Sequence, residues 1–424
     1  RGRQDIREYF GLVGNYSLII ASKFKNICHI AHHLYCAGTA AQPDKTQHYL
    51  ELAGQQALAA AAADEAVDTF GKALELELTE DERANLLNQR GLAYRTLGRW
   101  DEAAEDWMAA LPIFEKLGDD QRVSQICWDL AYKHAWANEM AQAETLARRG
   151  LKAVGDEPSV ARCQLLAAFG MCAGERLDYG VWEHHVEEAI AMAELLGEER
   201  LLGGDILMGK MYMGEHWLKS RLHAETADRS IALVRRVGTP WDLSNALSAA
   251  FLGYLCNGRF DDVESNYRQA VDLARKYGNF GAEMHAKITY GQVQCYRGDL
   301  AEGREMIRDR ADWSRETGFA WKTIIIQMLG FAEFWTGHWD NARQIADEIT
   351  AEPIAGTMAG MEAAFKMLLL AYEGDPGVDD LIEELKPRVC VAGQENQLGS
   401  WLAGIAMLET TAVLGRREQC APFY

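Results

Sequence analysis

Histidine pairs are the residues of this sequence whose type first suggests metal chemistry. Two of the pairs are adjacent, His32-His33 and His184-His185. Neighbouring residues on a helix point about 100° apart, so we expect such a pair not to converge on one ion. His29 lies four residues before His33 and could chelate with it, but we expect no further ligand beside them. The sequence therefore predicts no metal site.

Motifs for nucleotide chemistry and for hydrolysis are absent from the sequence. It contains no Gly-x-x-x-x-Gly-Lys-Ser/Thr loop, no strand–Gly-x-Gly-x-x-Gly–helix unit and no Gly-x-Ser-x-Gly elbow. Gly203-Gly204 lies in helical surroundings and is predicted to be a repeat boundary. Carboxylate pairs such as Asp261-Asp262 are explained by helix dipoles and solvation. We predict that these residues form no enzyme and bind no cofactor.

The net charge limits the kinds of binding partner that the protein can have, and its cysteines indicate its cellular compartment. The 424 residues carry 63 acidic and 43 basic side chains, a formal net charge of −20. Such a surface repels phosphate backbones and anionic lipid, so we predict no nucleic-acid and no membrane partner. The nine cysteines are scattered without a Cys-x-x-Cys pair, which favours reduced thiols in a cytoplasmic protein. No apolar run approaches the roughly 20 residues that span a bilayer.

Two series of glycines set the period of the chain. The first series follows helical runs at spacings of 37 to 42 residues: Gly118, Gly155, Gly197, Gly238, Gly278, Gly318, Gly356 and Gly393. The second lies about midway between them: Gly98, Gly180, Gly258, Gly298, Gly337, Gly374 and Gly415, with Asn138 and about Ser220 in its gaps. A glycine can take the left-handed conformation that ends a helix. Two breaks in every period of about 40 residues predict stacked two-helix units.

Residues 238–278 contain one such unit in full. Thr239 can cap the first helix, and Pro240 suits its first position. Gly258 breaks the chain between the two helices, and Gly278 can end the second one. This segment is therefore predicted to be a helical hairpin.

Small and large residues follow one template within each unit. Residues 85–111 show it best, with Gly91, Tyr94, Gly98, Ala103, Trp107 and Ala110. Gly91 and Ala103 would let the two helices approach closely, while Trp107 would fill the space between hairpins. This order of residues is that of the tetratricopeptide repeat, with a period longer than its usual 34 or so residues. The predicted fold is all-α, an α-solenoid of about ten two-helix hairpins that forms a right-handed superhelix.

The first 44 residues do not fit the repeat. We predict an irregular lead-in over residues 1–25 and then one helix, which together end a preceding module. The repeat array is predicted to cover residues 45–424 and to stop within its last repeat at Tyr424. Because solenoids normally close with a polar cap, this pattern indicates a piece of a longer chain.

A groove is the most promising binding feature. In these repeats the first helix of each hairpin lines the concave face, and aromatic rings there offer a large contact area at low entropic cost. Counting from the Gly91-type positions places these residues inward: Asn88, Arg95, Trp128, Tyr132, Trp136, Trp217, Asn245, His285, Tyr296, Gln327, Phe334, Trp335 and Tyr372. The alternative is that many of these rings belong to the core between repeats, as we expect for Trp313, Trp321 and Trp339.

The segment from Ala31 to Leu74 carries a family resemblance. The residues concerned are Ala31-His32-His33-Leu34-Tyr35, Ala37-Gly38, Tyr49, Ala53-Gly54-x-x-Ala57, Ala66, Phe70 and Ala73-Leu74. They resemble the junction where a signal-transducing ATPase module of the STAND class joins its tetratricopeptide arm. Bacterial adenylate/guanylate cyclases with a predicted ATPase, and MalT-like transcription activators, share this arrangement. The resemblance implies an arm that senses an inducer or partner and restrains the ATPase.

Two functions follow as hypotheses. The first is a sensor or regulatory arm of a larger STAND-type ATPase, linked to nucleotide cyclisation, with a protein, peptide or small-molecule inducer in the groove. An ATPase domain of the same chain would be its intramolecular partner. The second is a stand-alone adaptor that binds protein partners.

Overall fold

The computed structural model describes residues 27–60, 62–317, 321–390, 397–416 and 418. The packing divides the chain into two compact units. Unit 1 comprises residues 1–133 and 149–155, and unit 2 comprises residues 134–148 and 156–424. The predicted lead-in over residues 1–25, the glycines Gly318 and Gly393, and Tyr424 lie outside the described residues.

Unit 1 is built from consecutive helices that pack in pairs. They are α1 (Ile27–Ala37), α2 (Pro43–Ala59), α3 (Ala63–Leu74), α4 (Glu80–Thr96) and α5 (Trp100–Leu117). Two further helices, α6 (Asp120–Trp136) and α7 (Met140–Val154), are divided between the units. A Cβ atom on Gly91 would lie 2.5 Å from Nε1 of Trp107. Only glycine therefore permits this approach of α4 and α5, which confirms the close contact that the sequence predicted.

Unit 2 is also built from consecutive helices that pack in pairs. Its helices are α8 (Val160–Glu175), α9 (Tyr179–Leu196), α10 (Leu207–His216), α11 (Ser220–Val237), α12 (Pro240–Ala249), α13 (Phe251–Cys256), α14 (Phe260–Tyr277), α15 (Phe280–Arg297), α16 (Leu300–Thr317), α17 (Lys322–Trp335), α18 (Trp339–Thr350), α19 (Met361–Glu373), α20 (Val378–Val389) and α21 (Leu398–Val413). Every regular element among the described residues is helical. The predicted array of two-helix hairpins is confirmed.

The hairpin at residues 238–278 forms as predicted, with two differences. The Thr239 side chain accepts a hydrogen bond from the backbone N–H of Asp242, and the Asp242 carboxylate accepts from the N–H of Thr239. This capping box starts the first helix. That helix is interrupted at Ala250, between α12 and α13. Gly238 was expected to be left-handed like Gly278, but it has an extended backbone with φ −82°, because the chain turns directly into the capped helix.

Gly203-Gly204 is not a repeat boundary, contrary to the sequence prediction. Both glycines lie in a π-helical segment, Leu202–Ile206, that leads into α10. The boundary is Gly197, whose φ is +71° at the end of α9. A Cβ on Gly203 would lie 2.8 Å from Cβ of Leu233, so this glycine lets α11 pack closely.

The second series of turns is predicted correctly at most positions. Gly98, Gly258, Gly298, Gly337, Gly374, Gly415 and Asn138 all have a positive φ. The two exceptions are leucines. Leu177 (φ +71°) and Leu218 (φ +53°) take the left-handed position, instead of the predicted Gly180 and Ser220. Asp178 explains the first shift, because its side chain accepts a hydrogen bond from the N–H of Val181 and so caps the start of α9 at Tyr179, before Gly180 is reached.

These leucines predict a stabilising substitution. A left-handed backbone costs an L-residue with a side chain about 1–2 kcal/mol relative to glycine. Leu177 is also 43% exposed, so little packing is lost with its side chain. We expect Leu177→Gly to raise the midpoint of thermal unfolding, and the reverse change Gly258→Leu to lower it. A lower midpoint for Leu177→Gly would show that the leucine side chain contributes more than the strain costs.

No helix among the described residues has the length and apolar character needed to cross a membrane.

Candidate ligand-binding face

In unit 2, one side of the array brings non-neighbouring hairpins together. The ring of Trp136, at the end of α6, meets the ring of Tyr212 edge-on with 5.6 Å between centroids. Tyr212 in α10 meets His285 in α15 at 5.8 Å. Each of these pairs skips one hairpin. In a stack of hairpins, side chains of next-but-one neighbours meet only on the side towards which the stack curves, so we call this side of unit 2 the inner face.

Two contacts between distant parts of unit 2 lie at the edge of the inner face. The Trp321 indole Nε1 donates a hydrogen bond of 3.0 Å to the backbone carbonyl of Trp136, 185 residues away. The Thr357 hydroxyl donates a bond of 3.2 Å to the carboxylate of Glu175, 182 residues away. Gly356 has φ +71°, and a Cβ on it would lie 2.8 Å from the carbonyl oxygen of Glu175. The segment 351–360 therefore docks on the end of α8, and glycine is needed at its closest point.

The Glu175 carboxylate also accepts a hydrogen bond from His216. The Nδ1–Oε1 distance is 2.5 Å, and both side chains are buried. Burial alone would lower the pKa of His216, but the Glu175 carboxylate outweighs it and the pKa is raised. Burial would likewise raise the pKa of Glu175, but the attraction of His216 and the hydrogen bonds of His216 and Thr357 lower it. The two groups therefore form an ion pair at the docking point of the 351–360 segment.

Glu215 lies next to His216 at the end of α10. Burial raises the pKa of its carboxyl, against the opposing effect of His216 and His285. Its carboxylate makes no hydrogen bond with the residues that the structure describes. His285, opposite, is half-buried, and its Nδ1 has no hydrogen-bond partner in the same residues. Burial lowers the pKa of His285, which keeps the imidazole neutral at pH 7.

The predicted groove residues of unit 1 are largely engaged with each other. Arg95 pairs with Asp129, whose carboxylate is buried. Trp128 stacks obliquely on Tyr132, with 5.6 Å between centroids. Asn88 is half-buried on α4. These contacts leave the binding role of this set a prediction.

The predicted groove residues of unit 2 fall into two groups. One group exposes large rings: Trp136 (38%), Tyr296 (55%), Trp335 (40%) and Tyr372 (40%). The other group is engaged in packing or hydrogen bonds. Gln327 is buried and donates to the carbonyl of Met361, and Asn245 accepts from Asn279. Trp217 and Phe334 are buried, against Tyr179 and Tyr372 respectively. The exposed rings are the part of this set with solvent-accessible aromatic surface.

Two solved structures are similar to this chain over most of its length. A STAND protein with a tetratricopeptide-repeat sensor from Pyrococcus horikoshii aligns over 100% of this chain, with a TM-score of 0.55 and 13% identity. The chain spans 65% of the length of that protein. A Rap protein complexed with competence and sporulation factor aligns over 89% of this chain and 100% of its own, with a TM-score of 0.53 and 9% identity. This chain has the tetratricopeptide-repeat solenoid fold.

A third solved structure is less similar to this chain. Human IFIT1, solved as a dimer with m7Gppp-AAAA, aligns over 89% of the solenoid and 88% of its own chain at a TM-score of 0.48 and 12% identity. The absence of a nucleic-acid partner was inferred from the charge alone and stays a prediction. No protein-family model matches the solenoid, and no curated protein matches it in sequence.

Part of the inner face of unit 2 was not predicted from the sequence. The missed residues are Glu175, Tyr212, Glu215, His216 and Cys256. Several of them share one position in their turns. Glu175, His216 and Cys256 lie two residues before the left-handed residue of their turns, as do Trp136, Tyr296, Trp335 and Tyr372.

One group of residues in the described part of the solenoid could hold a metal ion. The ligand atoms of His184, His185 and Glu188 lie within 4.8 Å of one another. Adjacent histidines were predicted not to converge on one ion, which is wrong for this pair, because Glu188, one turn further along α9, completes the group. His184 is exposed, and His185 packs edge-on against Phe169. The absence of a metal remains a prediction.

Proposed function

We propose that the solenoid is a non-catalytic binding module and that the inner face of unit 2 takes the ligand or partner. The observation that supports this proposal most is the set of large aromatic rings that unit 2 leaves exposed at the turn ends of its helices. Trp136, Tyr296 and Trp335 are each at least 38% exposed there. Rings in a concave, partly enclosed surface offer contact area with little conformational freedom to lose.

We further propose that this module is the sensor arm of a STAND-type ATPase. The support is the fold match along the whole chain to a STAND protein with a tetratricopeptide-repeat sensor. A ligand regulates only if it binds two states of the arm unequally. The two long-range contacts, Trp321 with Trp136 and Thr357 with Glu175, are the structural features that a ligand on the inner face would strengthen or break.

The narrower link to nucleotide cyclisation rests on the sequence resemblance alone. Its test, and that of the STAND arm, is the gene itself. A phosphate-binding loop encoded in frame before Arg1 would support the arm, and a cyclase domain in the same frame would support the narrower link. An isolated reading frame with neither would favour the adaptor.

The stand-alone adaptor is the second candidate. It is favoured by the Rap protein, whose complete chain aligns with the solenoid and which was solved with a bound factor. Both candidates require binding on the inner face, and they differ in what that binding controls.

The exposed ring of Trp335 provides the binding test. The ligands to test are those found by calorimetric screening of peptides and metabolites. We expect Trp335→Ala to lower the affinity for such a ligand by roughly tenfold or more, because the ring supplies contact area. At 40% exposure the substitution should change the unfolding midpoint little. The matched control is Trp241→Ala, a ring that is 45% exposed at the start of α12, away from the turn ends that carry the exposed rings.

Two outcomes would contradict the proposal. One is that Trp241→Ala weakens the ligands as much as Trp335→Ala does. The other is micromolar binding of ATP that a substitution in the solenoid abolishes, because that result would indicate a nucleotide site instead.

A further inference from the structure

Three side chains of α9 bring metal-binding atoms close together. One ligand atom from each of His184, His185 and Glu188 lies within 4.8 Å of the other two. Glu188 follows the two histidines by four and by three residues, and residues at these spacings are neighbours on the surface of a helix. Two imidazoles and one carboxylate form a ligand set that zinc proteins use, with the fourth position left open.

The Nδ1 atom of His185 is buried and has no hydrogen-bond partner in the described part of the chain. Oε2 of Glu188 lies 3.6 Å from it, which is too far for a hydrogen bond. Two ligand atoms of a tetrahedral zinc ion, each roughly 2.0–2.2 Å from the metal, lie about 3.3–3.5 Å apart. The separation of these two atoms is therefore closer to that of two ligands on one ion than to that of a hydrogen-bonded pair.

Neighbouring groups orient two of the three ligands. The ring of His185 meets Phe169 edge-on with 4.9 Å between centroids, which restricts its rotation. The other carboxylate oxygen of Glu188, Oε1, accepts a hydrogen bond of 3.3 Å from Arg162. Carboxylates that bind metals are held by hydrogen bonds of this kind, which fix their orientation. His184 is exposed, so its ring can turn to complete the site.

The two arginines near the cluster are each paired with a carboxylate, so their charges do not oppose a metal ion in full. Arg148, which lies over the ring of Phe169, donates a hydrogen bond of 2.8 Å to Glu144. Arg162 also lies 3.2 Å from the carboxylate of Asp156. The net charge of −20 adds a field that attracts cations to the whole molecule.

We propose that His184, His185 and Glu188 bind one zinc ion, with the fourth position open to water or to a ligand group. The sequence predicted no metal here, whereas the distances between the three side chains favour one. Imidazole ligands select zinc over magnesium and calcium, which prefer oxygen ligands alone. The inference is independent of the proposed function, because none of the three residues belongs to the exposed rings.

Calorimetric titration of the chain with Zn²⁺ alone, in a buffer that does not chelate the ion, tests the site. We expect one zinc ion to bind per chain, and His184→Ala and Glu188→Gln each to weaken it by at least about tenfold, since loss of a group that merely supports a ligand already costs that much. His184 is exposed, so its replacement should leave the unfolding midpoint without metal unchanged. The matched control is His48→Ala, which removes another exposed imidazole, in α2, and should leave zinc binding unchanged.

Cysteine thiolates are a second possible source of zinc binding, since Cys256 and Cys390 are exposed. Titration with Co²⁺ distinguishes the two sources, because a thiolate ligand adds a charge-transfer absorption band that imidazole and carboxylate ligands lack. We expect the single bound cobalt ion to show no such band. Zn²⁺ should also raise the unfolding midpoint of the wild type more than that of His184→Ala, because an ion that binds only the folded chain stabilises it.

Three results would overturn the inference: no binding of Zn²⁺ by the wild type, binding that survives both His184→Ala and Glu188→Gln, or a thiolate charge-transfer band from the single bound cobalt ion. None of them bears on the proposed function, whose test is the substitution of Trp335.

Discussion

Trp107→Ala is expected to lower the free energy of unfolding of its part of the solenoid by about 3–5 kcal/mol. Trp107 is completely buried and packs on Gly91, where only a glycine leaves room for the ring. Its Nε1 has no hydrogen-bond partner in the described residues, so the loss is one of packing alone. Because repeat arrays unfold in parts, the measurement is amide hydrogen exchange in α4 and α5 together with the denaturation midpoint.

The control for this prediction is Trp335→Ala, whose ring is 40% exposed. We expect it to cost less than about 1 kcal/mol, as for most substitutions at the surface. A second check is Gly91→Ala, which should also be destabilising, since its methyl group would overlap the Trp107 ring. Equal losses for Trp107→Ala and Trp335→Ala would show that the exposed ring belongs to the core, and the inner face would lose one of its contact residues.

His216→Ala is the second substitution that we expect to lower the stability strongly. It leaves the buried carboxylate of Glu175 without its partner, and breaking a buried pair from one side costs about 3–5 kcal/mol. We expect the unfolding midpoint to fall and the docking of the 351–360 segment on Glu175 to loosen. Increased hydrogen exchange at Thr357 would report that loosening directly. If His216→Ala left hydrogen exchange in the 351–360 segment unchanged, the Glu175–His216 pair would not be the docking point of that segment.

The pH dependence of this effect follows from the two pKa shifts. The pKa of His216 is raised above its usual 6.5, so its contribution is complete below pH 6.5 and is lost as the pH rises through the raised value. The pKa of Glu175 is lowered below its usual 4.5, so its contribution is complete above pH 4.5 and is lost as the pH falls through the lowered value. The difference in midpoint between wild type and His216→Ala should therefore be largest between pH 4.5 and 6.5 and shrink on either side.

The fold could be predicted because its signals are local and repeated. A capping pair such as Thr239 with Asp242, or a small residue such as Gly91 facing a large one, acts within a single hairpin. Each hairpin repeats these signals, so errors in one are corrected by the others. Counting within the same hairpins also selected Trp136 and Trp335, whose rings are exposed; their role in a binding groove stays a prediction.

The charged part of the inner face escaped prediction because the register was anchored on glycines. Where Leu177 and Leu218 take the left-handed position, counting from Gly180 or Ser220 misplaces the position by two or three residues. Glu175 and His216 therefore went unnoticed, although they occupy the same position as Trp136. A leucine with a positive φ has no signal in the sequence, since leucine only rarely adopts that conformation.

The long-range contacts could not be predicted for a different reason. Trp321 and Trp136 are 185 residues apart, and their meeting depends on small rotations accumulated over several hairpins. Trp321 was expected to pack between repeats, yet its indole donates to the Trp136 carbonyl. No local pattern in the sequence encodes the sum of such rotations.

The most direct test of a binding role for the inner face is a crystal structure of the solenoid with a ligand from the calorimetric screen. We expect the ligand to contact the exposed rings of Trp136, Tyr296 or Trp335. A ligand seated only on the second helices of the hairpins, such as α14 and α16, with these rings untouched, would contradict it.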